Sequence, residues 1–149
     1  MAAITRRVLA IRAGLTQIDG MSEQIRKHIP FAGVLGLEVV SATKERIEAR
    51  MFVRPDLCNP VAGLHGGATM SVADTLGAMG ASMNLPEGAS GTTTLESKTN
   101  FIGGAKSGET VVAVCTPLHI GRRTSIWQTK ITTEAGKTVA LVTQTQMVL

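Results

Sequence analysis

Asp74 is the single charge in the stretch Gly67 to Met83, which is otherwise apolar or small, and its helical neighbours Met70, Ser71, Gly77 and Ala78 include no cation. A carboxylate buried without an ionic partner is costly, so its partner must come from elsewhere or its reactivity must be useful. The alternative is a structural aspartate bonded to backbone or to a partner chain. Just upstream stand His65, Gly66 and Gly67. Backbone N–H groups at a helix start lack internal acceptors and lie at the positive end of the helix dipole, so they can hold an oxyanion. Glycine adds room for a carbonyl to approach the backbone, as acyl transfer requires. The pair also reads as a plain turn into a helix, and His65 as a hydrogen-bonded structural residue.

Spacing adds a constraint. Gly66 and Asp74 lie about 12 Å apart along a helix, whereas both must come within about 3 Å of one reacting group. Two antiparallel helices across a twofold axis would bring Asp74 of one chain to Gly66 of the other. A catalytic reading therefore predicts a homodimer with two equivalent sites.

The elements that position these residues follow from periodicity. Ile4, Val8, Ile11 and Leu15 recur at three- and four-residue steps, which predicts an amphipathic N-terminal helix. Arg6, Arg7 and Arg12, with no acid nearby, would also suit a mitochondrial targeting segment, the less favoured reading. A short helix is expected over Met21–His28, ended by Pro30, so residues 1–30 form a helical segment before a single domain over 31–149. Leu35–Val40 and Arg46–Val53 read as strands, the second alternating Ile47, Ala49, Met51 and Val53 against Arg46, Glu48 and Arg50. A buried helix over Gly67–Met83 follows; Gly77 and Gly80 each cost it about 1 kcal/mol relative to alanine, which close packing would offset. Four further strands, Thr92–Ile102, Thr110–Ile120, Thr124–Thr133 and Thr138–Leu149, are separated by Gly103-Gly104, Gly121 and Glu134–Lys137 at hairpin spacing, so successive strands should pair antiparallel. The expected class is α+β: a curved antiparallel sheet wrapped around one central helix.

Composition bounds the partners. Hydrophobic residues make up 44% and charged residues 17% of the 149 residues, which favours self-association. Aromatic content of 3% nearly removes the base-stacking platforms of single-strand readers, so nucleic acid is not expected. A net charge of +4 suits an anionic, phosphorylated small molecule. Cys58 and Cys115 have no pairing or metal-ligand spacing, and no apolar run is long enough to span a bilayer. A cytoplasmic protein with no metal and no membrane partner is expected. Trp127, His119 and both cysteines read as packing residues.

Asn59, His65, Gly66, Gly67 and Asp74, in the run N-P-V-A-G-L-H-G-G-A-T-M-S-V-A-D, resemble the signature of hotdog-fold thioesterases of the phenylacetate-degradation (PaaI-like) group. The similarity runs from about His28 to the C-terminus and includes Gly36-Leu37, Thr92–Phe101 and Gly121-Arg122-Arg123. It implies that Asp74 acts as general base or nucleophile toward an acyl-coenzyme A thioester. It further implies that the Gly66 N–H polarises the carbonyl, His65 orients loop and thioester, Asn59 positions water or the histidine, and Thr94 helps hold the attacking water. Gly67 would contact substrate. Arg122 and Arg123 could bind coenzyme A phosphates through charge-assisted forks or could simply be solvated; Lys98, Asn100 and Lys106 are weaker candidates. Coenzyme A is then part of the substrate and no cofactor is implied; pairing of dimers into a tetramer is common in that group.

Two other readings remain at this level. A hotdog hydratase or dehydratase also pairs histidine with a helix carboxylate, but here His65 is followed by Gly-Gly instead of the Phe-Pro of acyl-carrier-protein dehydratases. A non-catalytic acyl-CoA binding module is the third, since a fold does not by itself specify turnover.

Overall fold

Pro30, expected to end a helix, also starts one. A proline at the first helical position lacks only an N–H that would have no internal acceptor, and its φ is already set for the helix. The computed structural model describes Ile25 and residues 27–149, with α1 at Pro30–Leu35. The expected helix carrying Ile4 to Leu15, the basic residues Arg6, Arg7 and Arg12, and most of the expected Met21–His28 helix lie outside the described residues. Gly36 ends α1 in the left-handed region at φ 69°. The apolar run Leu35–Val40 is therefore not one strand: its first residue closes a helix, and β1 spans Glu38–Ala42.

β2 (Ile47–Phe52) pairs antiparallel with β1 and follows the predicted alternation, with Ile47, Ala49 and Met51 buried and Arg50 outward. A 3-10 turn at Pro55–Leu57 and a tight loop lead into α2 (Gly66–Met83). β3 (Thr92–Phe101), β4 (Thr110–Ile120), β5 (Thr124–Thr133) and β6 (Thr138–Val148) complete one six-stranded antiparallel sheet in the order β1-β2-β4-β5-β6-β3. This is the curved sheet around a central helix that defines the hotdog fold.

One predicted pairing is corrected. β4, β5 and β6 form successive hairpins as expected, but β3 pairs with β6 and not with β4. Gly103-Gly104 is not a hairpin turn; the segment after it is held elsewhere. Leu64 N–H donates to Ala105 O at 2.8 Å, Ser107 N–H to Ala62 O at 2.9 Å and Gly108 N–H to Val53 O at 2.9 Å. These bonds carry the chain beneath the loop before α2 and deliver β4 beside β2. β3 is left at the sheet edge, with one side of its hydrogen-bonding groups unpaired by any strand among the described residues.

α2 lies on the inner sheet face, burying Val72, Ala73, Leu76 and Met79 against Trp127 and Ile131 of β5 and Val142 of β6. Glycines let it come close. A Cβ at Gly77 would lie 2.3 Å from Cδ of Gln144, and one at Gly80 would lie 2.5 Å from Cζ3 of Trp127. The predicted enclosure of α2 holds for this face only, because Gly67, Met70 and Asp74 form an exposed stripe on the other. Among the described residues no helix is long and apolar enough to cross a membrane.

Trp127 is fully buried and cannot swing away, so Gly80→Ala should destabilise the protein despite alanine's higher helix propensity. The expected loss is about 1–3 kcal/mol, measured by urea unfolding. An open helix surface would instead give a gain.

Candidate active site

The loop Asn59–Gly63 is built by one side chain. Asn59 Oδ1 accepts from the backbone N–H groups of Val61 at 3.1 Å and Gly63 at 3.0 Å. Asn59 N–H donates to Gly63 O at 2.8 Å, which closes the turn. Ala62 sits inside it at φ 58°, a conformation that costs an L-residue about 1–2 kcal/mol and persists because these bonds determine it. Leu64 is then tied to Ala105, and His65 N–H donates to Leu57 O at 2.9 Å. Asn59 thus shapes the loop that delivers His65 to the start of α2, and its side-chain oxygen is committed to backbone.

His65 is the N-cap of α2. Its Nδ1 accepts from Gly67 N–H at 2.9 Å. An imidazole that accepts at Nδ1 carries its proton on Nε2 when neutral, and can donate from there. The bland expectation for His65, a hydrogen-bonded structural residue, describes this contact. Gly67 N–H is consumed by the cap, so Gly67 offers a substrate a wall without Cβ and no donor. Gly66 N–H, by contrast, has no acceptor within the chain among the described residues. A Cβ on Gly66 would lie 3.0 Å from Cζ of Phe101, a half-exposed ring at the end of β3.

Asp74 lies two turns further along the exposed stripe. It was expected to be buried; it is exposed, because it points to the sheet edge where no strand follows β3 among the described residues. It is well partnered by neutral donors. Thr94 Oγ1 donates to Asp74 Oδ1 at 2.9 Å, and Gln146 Nε2 donates to Thr94 Oγ1 at 2.8 Å. The Thr92 hydroxyl has two acceptors for its one proton, Met147 O at 3.0 Å and Gln146 Oε1 at 3.2 Å. The Gln146 and Thr94 donors point toward the carboxylate. Of the consecutive threonines, Thr94 is the one that reaches Asp74.

Two adjoining depressions run along α2. One of about 400 Å³ is lined by Leu57, Cys58, His65, Gly67 and Ala68; the other, about 260 Å³, by Met70, Asp74, Thr75 and Ser97. Phe31 and Ser71 border both. Phe31 is held over them because Arg54 fastens α1, donating from Nη2 to Val34 O at 2.7 Å and from Nη1 to Leu35 O at 3.2 Å. The Arg54 guanidinium also bonds the Asp56 carboxylate and holds its pKa below the usual value.

Arg122 and Arg123 are exposed in the β4–β5 turn. Val148 N–H donates to Arg123 O at 2.8 Å, and Val148 pairs with Thr92, whereas Gly66 lies beside Phe101, which pairs with Ala140. Eight residues of β6 separate the two levels, about 27 Å. One chain does not bring these arginines to its own Gly66. His119, expected as packing, is exposed where β4 bends at an irregularity between Pro117 and His119. Trp127 and Cys115 are buried as expected, and burial pushes the Cys115 thiol up to about 11. Cys58 is half-buried and lines the larger depression.

Sequence reasoning missed Phe31, Arg54, Phe101, Gln144 and Gln146. For the glutamines a signal existed: they occupy inward positions of β6, in step with buried Val142, where an apolar residue is the ordinary choice.

The capping test separates two roles of His65. His65→Ala should lose about 1 kcal/mol of stability, whereas His65→Asn keeps a cap acceptor and should stay near wild type in thermal unfolding. If the alanine variant is as stable as wild type, the cap contributes nothing.

The model of the thioesterase superfamily matches residues 63–140, from the loop glycine before His65 into β6. The 1,4-dihydroxy-2-naphthoyl-CoA hydrolase of Escherichia coli is 33% identical over 105 residues, 70% of this chain and 76% of that protein. The crystal structure of thioesterase HI1161 from Haemophilus influenzae superimposes with a TM-score of 0.80 at 28% identity, covering 89% of this chain and 90% of that one. The E. coli PaaI protein from the phenylacetic acid degradation operon shares the fold, with a TM-score of 0.77 at 23% identity over 91% of this chain and 96% of its own. The chain therefore belongs to the thioesterase superfamily and is a thioester hydrolase with the hotdog fold.

Proposed function

We propose that the protein hydrolyses acyl-coenzyme A in sites shared between two copies of the chain. The observation that carries this reading is the division of labour along β3. Gly66, with its free N–H, sits at the Phe101 end, and Asp74 is bonded to Thr94 near the other end. Gly66 and Asp74 are about 12 Å apart on one rigid helix and cannot meet the same carbonyl. A second β3 added antiparallel at the open edge, centred between Ser97 and Lys98, sets Thr94 of one copy opposite Phe101 of the other. Asp74 of the partner subunit then faces Gly66. The same operation carries Arg122 and Arg123 of the partner subunit, which lie beyond the Thr92 end, toward that Gly66.

In this arrangement the thioester carbonyl oxygen accepts from Gly66 N–H, with the helix dipole favouring the charge that develops there. Asp74 of the partner subunit takes a proton from water as the water oxygen attacks the carbonyl carbon, or attacks directly to give an acyl-enzyme that water cleaves. The C–S bond breaks, and coenzyme A leaves as thiolate and is reprotonated. His65 fixes the helix start and presents Nε2–H to the groove, and Thr94 orients the carboxylate. Arg122 and Arg123 offer forks to the coenzyme A phosphates. The coenzyme A thioester in the name of the E. coli relative is consistent with this substrate class. Pairing of dimers into a tetramer and a cytoplasmic location belong to the same reading.

Asp74→Asn keeps size and the Thr94 contact but removes the base. Thiol release from acyl-CoA should fall about 10³-fold with the dimer intact by light scattering. Undiminished release would dispose of the mechanism, and enoyl-CoA hydration without thiol release would replace it. Screening acyl chain lengths and arylacetyl-CoAs in the same assay defines specificity. Replacing Arg122 and Arg123 with alanine should raise KM several-fold for acyl-CoA and leave acyl-pantetheine, which lacks the nucleotide phosphates, unaffected; equal effects on both would exclude phosphate recognition.

A further inference from the structure

The underside of α2 holds an arrangement that packing alone does not require. Gln144 is 1% exposed, on the inward face of β6, opposite Ser97 of β3. Its Nε2 lies 3.4 Å from both the backbone carbonyl and Oδ1 of Asp74. Both are acceptors, so the amide must present its N–H₂ to them. Its Oε1 has no donor among the described residues. The amide occupies the space a Cβ at position 77 would take, with the built Cβ 2.4 Å from Nε2 and 2.7 Å from Oε1.

Each of these choices is locally unfavourable. Glycine in mid-helix weakens the helix, and a buried glutamine with an orphaned oxygen weakens the core. Together they do one thing: Gly77 opens a seat through which Gln144 reaches Asp74 from below, while Thr94 reaches it from the side. Local rules broken together at one point mark a position where something other than stability is served.

We propose that Gln144, seated by Gly77, is a positioning residue for the Asp74 carboxylate, fixing its rotamer and aim from beneath α2. The inference rests on the catalytic reading of Asp74 above. Gln144 does not touch substrate; it acts through Asp74. A purely structural tie between helix and sheet would behave differently, because replacing a partly unsatisfied buried amide by an apolar side chain of similar length costs little stability or gains some.

The test compares Gln144→Met, Gln144→Glu and Asp74→Asn as full-length proteins, by steady-state thiol release and thermal unfolding. Methionine fills the seat without a donor: kcat should fall about tenfold, KM stay within about twofold, and Tm stay level or rise. Glutamate keeps the shape, and a carboxyl buried beside the Asp74 carboxylate takes up a proton and donates in the amide's place, so its kcat should lie between those of wild type and the methionine variant and fall as pH rises. Gln144→Met with kcat within twofold of wild type overturns the proposal, as does a kcat loss that only follows a fall in Tm, or a glutamate variant no more active than the methionine one. If Asp74→Asn is inactive while Gln144→Met is fully active, the positioning role alone is wrong. If Asp74→Asn hydrolyses normally, the site reading fails and Gln144 has nothing to position.

Discussion

Two missing Cβ atoms set how closely the central helix lies on the sheet. At Gly77 and Gly80 the backbone of α2 rests against the Gln144 amide and the Trp127 ring, at separations no other residue permits. Everything the helix presents depends on that seating. The buried face is fixed by it, so the exposed stripe of Gly67, Met70 and Asp74 is fixed as well. The height of α2 over the sheet also decides that Thr94 can bond Asp74 directly across the α2–β3 gap.

The first turn and the middle of α2 carry different chemistry, with the Gly66 N–H at one and Asp74 at the other, and a helix is too stiff to fold them together. The loop before α2 is correspondingly rigid: Asn59 binds two backbone amides, Ala62 is held in a left-handed conformation, and His65 spends its Nδ1 on the cap. That rigidity favours catalysis by preorganised donors, which need no rearrangement when charge develops. Apolar Phe31, Leu57 and Ala68 along the same stripe line the depressions that flank these groups.

The wiring beneath the site is polar and neutral. Thr94 and Gln144 direct donors at Asp74, and Gln146 backs Thr94, without bringing a cation to it. A neutral cluster orients a carboxylate while leaving it free of the ion pair that a lysine or arginine would form, and an unpaired carboxylate remains available as a base.

Much of this was legible in the chain itself, because it depends on local rules. Alternation identified the inward residues of β2, the apolar and small-residue run identified α2, and the spacing of Asn59, His65, Gly66 and Asp74 marked a candidate site and a family resemblance. Pairing partners were not legible. Whether β3 turns back onto β4 or runs to the far edge depends on where Ala105, Ser107 and Gly108 find hydrogen-bond partners, and those lie some forty to fifty-five residues earlier in the chain. Nor could the sequence reveal that Asp74 is exposed, since burial at a sheet edge depends on whether another strand follows. Gln144 and Gln146 went unremarked in the sequence; their targets emerged once β6 was set beside β3. Periodicity and spacing are properties of neighbours along the chain and so determined the elements and the site's components. Strand order, edge exposure and the contacts of Asp74 are set by residues distant in sequence, and only the tertiary structure decided them.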